Sequence, residues 1–181
     1  MSKNVLVAIA DGTEELEAVT IIDVLRRAKA DVTVASVGSR KITASRGVKL
    51  VADVVISDCV GKVYDLIALP GGMPGAKNLR DSNELTEILK VQASSGKLYA
   101  AICASPAVVL KHHGLLQNKK ATCYPTLASA LDNAVDSKVV VDGNCITSQG
   151  PATALHFSLK LVELLFGKEK AQQVAQAMLV G

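Results

Sequence analysis

Leu98-Tyr-Ala-Ala-Ile-Cys-Ala-Ser-Pro-Ala-Val-Val-Leu110 decides the reading of this chain. Its first half is apolar and follows the turn signal Ser94-Ser-Gly-Lys97, as a short buried strand would. From Ala104 an Ala/Val/Leu run of helical length begins, with Pro106 in the first turn, where a missing N–H costs nothing. Cys103 therefore stands on a sharp strand-to-helix junction, the geometry of a nucleophile elbow with Cys in place of Ser. A thiol facing a helix N-terminus is expected to have its reactive thiolate form stabilised.

Outward from that junction, composition fits an α/β scaffold. The chain has 181 residues with no linker-like shift, so residues 1–181 are expected to form one domain with a sizeable core. Hydrophobic residues make up 49% and aromatics only 3%, so Val, Ala, Leu and Ile must build that core, which favours buried parallel strands over a β-sandwich. The net charge of +3 is small and its cations are scattered, which argues against a nucleic-acid partner. No apolar run reaches membrane-spanning length, and the first residues do not read as a secretory signal. Cys59, Cys103, Cys123 and Cys145 lack C-x-x-C spacing, and His112, His113 and His156 complete no zinc pattern. Free thiols in a reducing compartment, the cytoplasm, are the expectation, with no metal and no cofactor.

Strand and helix signals alternate along the chain. Val5–Ala10 reads as a strand opening into Asp11-Gly-Thr-Glu-Glu15, with Asp11 as N-cap of a helix running to about Ala30. Asp31–Ser36 is a second strand. Residues 41–50 and 51–57 read as short strands or a hairpin turning at Arg46-Gly47, and Tyr64–Leu69 as a strand ending in Pro70-Gly-Gly-Met-Pro-Gly75. Helical pieces follow between Ala76 and Ala93. Beyond the elbow helix, strands are expected at Lys120–Tyr124, Lys138–Asp142 and Asn144–Ser148, then a helix from Gln149-Gly-Pro-Ala to about Phe166 and a last one over Lys168–Ala177. Such alternation implies a mostly parallel sheet with helices on both faces.

In that architecture ligands sit outside the carboxyl ends of the strands. Three strand ends thus converge: Asp11 to Glu17, Pro70-Gly71-Gly72, and Cys103. Gly71 and Gly72 let backbone approach a ligand and aim an N–H inward, which with the Ala104 N–H would form a two-donor oxyanion hole. Glu17, flanked by Leu16, Ala18 and Val19, has the apolar company that raises a carboxyl pKa and suits a proton shuttle. Duller readings stand beside these. Buried cysteines are commonly inert, Glu14, Glu15 and Glu17 all suit a solvated first helical turn, and His112 and His113 suit a helix C-terminus before Gly114.

Five motifs in order, Glu14-Glu-Leu-Glu17, Asp23-Val-Leu-Arg-Arg27, Leu69-Pro-Gly-Gly72, Ala100-Ala-Ile-Cys-Ala104 and Thr147-Ser-Gln-Gly-Pro151, resemble the DJ-one/ThiJ/PfpI superfamily. The branch is that of the parkinsonism-associated human protein and its bacterial and plant relatives. The resemblance implies a flavodoxin-like three-layer sandwich and a homodimer through the first helix. It implies that Cys103 is the reactive, easily oxidised cysteine, Glu17 the carboxyl bonded to it, and Gly72 and Ala104 the backbone donors. It further implies glutathione-independent glyoxalase activity on a small dicarbonyl such as methylglyoxal or glyoxal, with deglycase activity as an extension. The alternative it carries is a redox sensor or holdase chaperone whose cysteine becomes a sulfinic acid. Ala104, where the protease branch has histidine, speaks against a peptidase. Tyr124-Pro125 stands where human-type members have His-Pro, so Tyr124 could orient a carbonyl but not act as a base. Gln149 replaces an arginine, while Arg46 is retained for anion binding.

Overall fold

Strand β1 (Asn4–Ile9) shows why the sheet must be covered on both sides. Val5, Val7 and Ile9 enter one apolar cluster, while Leu6, Ala8 and Ala10 enter a second on the opposite face. Period-two alternation with both faces apolar is the signature of a strand buried between helical layers. Strands β6 (Leu66–Leu69) and β7 (Leu98–Ile102) repeat it, with Leu66, Ala68, Ala100 and Ile102 on the first side and Ile67, Leu69, Tyr99 and Ala101 on the second.

The computed structural model describes residues 2–180. After β1 come α1 (Glu15–Arg27), β2 (Asp31–Ser36), β3 (Lys41–Thr43), β4 (Lys49–Val51), β5 (Val54–Val55) and β6 (Leu66–Leu69). Then follow α2 (Gly75–Arg80), α3 (Asn83–Ser94), β7 (Leu98–Ile102), β8 (Val139–Asp142), β9 (Cys145–Ser148), α4 (Ala154–Phe166) and α5 (Lys168–Ala177). The seven-stranded sheet has the order β5-β2-β1-β6-β7-β9-β8, parallel except for the β8–β9 pair. α1, α4 and α5 cover one face, and α2 and α3 the other. This is the expected three-layer, flavodoxin-like sandwich. The strand order reverses between β1 and β6, the kind of crevice where such sheets hold ligands. β3 and β4 form a separate antiparallel hairpin. No helix among the described residues is long and apolar enough to cross a membrane.

Several boundaries differ from the sequence reading for local reasons. Gly12, at φ +80°, and Thr13 first make a turn in which Thr13 Oγ1 accepts the Ala10 N–H at 2.9 Å. α1 therefore starts after Glu14, whose side chain caps it, while Asp11 instead accepts the Thr43 N–H at 2.8 Å. At its other end Lys29 turns left-handed (φ +69°) and the Ala30 N–H reaches back to Leu25, a Schellman-type stop before Ala30. Lys120–Tyr124 is not a strand. Its N–H groups go to the side chains of Asp142 and Thr147 and to the Cys103 carbonyl, leaving one isolated bridge from Ala121 to Ala134.

Phe157 on α4 is wholly buried in the core shared with α1. Phe157→Ala is expected to cost about 3–5 kcal/mol through lost burial and the cavity left behind. Urea unfolding should show this as a lower midpoint at unchanged slope.

Candidate functional site

β7 ends at Ile102, and Cys103 adopts φ +63°, a left-handed conformation that non-glycine residues hold only under constraint. The constraint is visible. Its N–H donates to the Ser148 carbonyl at 3.0 Å and its carbonyl accepts the Tyr124 N–H at 2.7 Å. Two residues on, Ser105 Oγ donates to the Pro70 carbonyl at 2.6 Å. Gly71 passes directly beneath, where an added Cβ would lie 2.6 Å from that of Cys103. The long α-helix expected after the elbow is instead one π-type stretch, Pro106–Lys111, followed by turns.

Glu17 lies one turn into α1 and is fully buried against the same elbow. Its Oε2 accepts the Gly71 N–H at 2.7 Å, and its carboxyl lies beside the Cys103 thiol. Oε1 is buried with no hydrogen-bond partner among the described residues. The Gly71 N–H is therefore consumed by Glu17 and does not serve as an oxyanion donor. The N–H groups that face the sulfur are those of Gly72 and Ala104. Gly72 can do this because it sits at φ +89°, with its Cα packed against the Glu14 backbone.

Burial raises the Glu17 carboxyl from 4.5 to about 7, against the lowering pull of the Gly71 N–H. Cys103 departs from the expectation of a stabilised thiolate. Burial, and then the negative charge and hydrogen bond of Glu17, push its thiol up to about 12, while the Gly72 and Ala104 donors pull it down. Cys123 and Cys145 are also raised by burial, to about 11 and 12. Among these thiols, Cys103 alone has a carboxyl and two convergent N–H groups around it.

Cys103 is 8% exposed and opens into a pocket of about 450 Å³ whose walls include Glu14, Arg46, Gly72, Tyr124 and Leu127. Tyr124 is 44% exposed at its edge, with its ring against Gly150. Gln149 turns away to Asp136, and His156 is exposed on α4. His113 bonds the Arg80 carbonyl and Thr86, far from the pocket wall. A larger cleft of about 600 Å³, between the ends of β1 and β2 and the start of α3, is polar and contains no nucleophilic thiol. The chemistry belongs to the smaller pocket.

Glu15 was not separable from its neighbours in the sequence. Its carboxylate accepts from Ser45 Oγ at 3.0 Å and from the Arg46 N–H at 2.8 Å, so it grips the hairpin turn that brings Arg46 to the pocket. Burial opposes its ionisation, but these donors outweigh that and hold the carboxyl below its usual range. Met73, Val108 and Leu127 also line the pocket, and apolar wall residues carry no chemical signature in a sequence.

A constrained cysteine with a buried acid beside it, at the crevice of a doubly wound sheet, defines a cysteine-centred α/β class. Within it, the chain belongs to the DJ-1/PfpI family, whose model matches residues 3–164. It is 54% identical over 179 residues to "Protein DJ-1 homolog B" of Arabidopsis thaliana, covering 97% of this chain and 41% of that protein. The chain thus spans less than half the length of that plant relative. It is 36% identical over 172 residues to "Glutathione-independent glyoxalase DJR-1.2" of Caenorhabditis elegans, covering 93% of this chain and 91% of the relative. The solved structure of oxidised Toxoplasma gondii DJ-1 superposes with a TM-score of 0.97 at 50% identity, covering 98% of each chain.

A carboxyl whose folded pKa is raised stabilises the fold only below its ordinary value. Between 4.5 and about 7 the folded chain holds a proton that the unfolded chain releases, so stability falls as pH rises. Relative to Glu17→Gln, the wild type is expected to lose up to about 3 kcal/mol across that window. Denaturation midpoints of the two proteins, measured at each pH, check it.

Proposed function

We propose that the protein is a glutathione-independent glyoxalase converting methylglyoxal or glyoxal to lactate or glycolate, without a cofactor. The observation that carries this reading is the buried Glu17 carboxyl, poised near neutrality in contact with the Cys103 thiol. Thiolate need not accumulate. The Glu17 carboxylate takes the thiol proton as sulfur bonds to the aldehyde carbon, then returns it to the aldehyde oxygen, which becomes the hemithioacetal hydroxyl and leaves Glu17 ionised again. The N–H groups of Gly72 and Ala104 steady that oxygen while it is charged. Glu17 then moves a proton from the former aldehyde carbon to the neighbouring carbonyl carbon through an enediol, while the hydroxyl proton passes to the neighbouring oxygen, leaving the thioester of a 2-hydroxy acid. Water cleaves the thioester, releasing the hydroxy acid and the free thiol. Tyr124 and Arg46, at the pocket wall, orient the second carbonyl. The name of the nematode relative supports the reaction class. The exposed Leu16 and Val19 of α1 suit the expected homodimer.

Lactate formation from methylglyoxal in glutathione-free buffer tests the reading. Wild-type turnover should exceed that of Cys103→Ala by at least about 100-fold. Equal rates overturn it.

The partnerless Glu17 Oε1 favours a second reading, a redox sensor or holdase whose Cys103 is oxidised to a sulfinic acid. A protonated Glu17 would donate from that oxygen to the sulfinate. Mass spectrometry after mild peroxide should then find Cys103 oxidised ahead of Cys59, Cys123 and Cys145, with protection of an aggregating client increased. Indiscriminate oxidation, or unchanged protection, removes this reading.

A further inference from the structure

Three hydrogen bonds close a ring around the acid. The Glu14 N–H donates to the Gly71 carbonyl at 2.9 Å, and the Gly71 N–H donates to Glu17 Oε2 at 2.7 Å. The Glu17 N–H donates in turn to Glu14 Oε2 at 2.8 Å. Glu14 therefore contributes twice, through its backbone to the Gly71-Gly72 turn and through its side chain to the first turn of α1. Glu14 also lines the pocket into which Cys103 opens.

We propose that Glu14 is a positioning residue for the proton-carrying carboxyl: it locks Glu17 against the Gly71-Gly72 turn and, by its own negative charge, disfavours the carboxylate form of its neighbour. Capping alone does not require glutamate, since serine, threonine, aspartate and asparagine are the favoured N-caps. A glutamate here adds a charge close to a buried acid, where like charges resist joint ionisation. Burial does most to raise the Glu17 carboxyl, and the nearby Glu14 charge adds a smaller push in the same direction. The other groups facing Glu17 are the Cys103 thiol from the end of β7 and the Gly71 N–H from the end of β6. Arg46 from the hairpin and Tyr124 border the same pocket, while the Glu15 carboxylate is occupied by the hairpin turn.

The inference concerns the acid of the proposed glyoxalase and so rests on that reading for its catalytic meaning, but titration of Glu17 needs no turnover. The experiment is a carbon-13 NMR titration of the full chain labelled at glutamate Cδ, with the Glu17 signal assigned by its loss in Glu17→Gln. Glu14→Gln keeps an acceptor oxygen and removes the charge, and should lower the Glu17 midpoint by about 0.5–1 pH unit. Glu14→Asp keeps both charge and cap and should stay near wild type. An unchanged midpoint in Glu14→Gln, or an equal fall in Glu14→Asp, overturns the proposal. Should Glu14→Gln not fold, Glu14→Ser, neutral and a favoured N-cap, is read in its place by the same criterion. The acidic limb of kcat/KM for methylglyoxal, followed in parallel, should move with the NMR midpoint. A wild type without turnover would sink the glyoxalase reading while leaving the titration to decide this one.

Discussion

A cysteine held in a left-handed backbone conformation sets the terms for everything around it. Such a residue relaxes unless its neighbours over-determine it, and here β9, the 120s segment and the loop after β6 each supply a hydrogen bond at or beside Cys103. The same demand makes Gly71 obligatory, because any side chain there would occupy the space of the cysteine Cβ. The edge of the parallel sheet is where this is feasible. β6, β7 and β9 end together in register, so their outgoing loops meet without a long excursion.

The elbow explains why the acid must be buried. Glu17 reaches the sulfur only by projecting from α1 across the end of β6, where no water remains to solvate a charge. The Gly71 N–H and Cys103 satisfy part of it, and desolvation sets the rest, bringing the carboxyl near neutrality. A thiol and an acid in contact cannot both be ionised at little cost. Proton transfer between them during attack avoids that cost, because the thiol's proton moves to the carboxyl as negative charge leaves for the aldehyde oxygen. A high resting thiol pKa and a reactive cysteine are therefore compatible.

The architecture was legible because its causes are local. Asp31 before an apolar stretch located β2, and Gly167 before a run of helix formers located α5, over the residues they occupy, and both hydrophobic faces of β1 are written in consecutive apolar residues. Lys120–Tyr124 misled because its pattern suits a strand, while its N–H groups are captured by side chains from distant parts of the chain. While the choice of Glu17 and Gly72 was settled by the family resemblance, the meeting of Cys103, the Gly71-Gly72 pair and the start of α1 was legible in the residues, since strand ends dictate it. The division of labour between Gly71 and Gly72 was not, because it depends on which N–H a carboxyl from another element reaches first. The thiol's pKa was not legible either. It follows from burial and from the Glu17 carboxyl alongside, which together outweigh the Gly72 and Ala104 N–H groups.

The start of α1 links the chemistry to the mouth of the pocket. The hairpin β3–β4 does not join the main sheet, and its attachment runs through residues 11–15: Thr43 to Asp11, Gly12 to Thr43, Ser45 to Thr13, and Ser45 and Arg46 to Glu15. Glu14 and Glu17 follow on the same turn and face the cysteine. Three glutamates within four residues thus divide the work, one gripping the hairpin that carries Arg46, one capping the helix and one meeting the thiol. A shift of this helical turn by one residue would break all three arrangements together, so the spacing Glu14-Glu15-Leu16-Glu17 is fixed by the site's geometry and not by helix propensity, which any of these positions could satisfy with other residues.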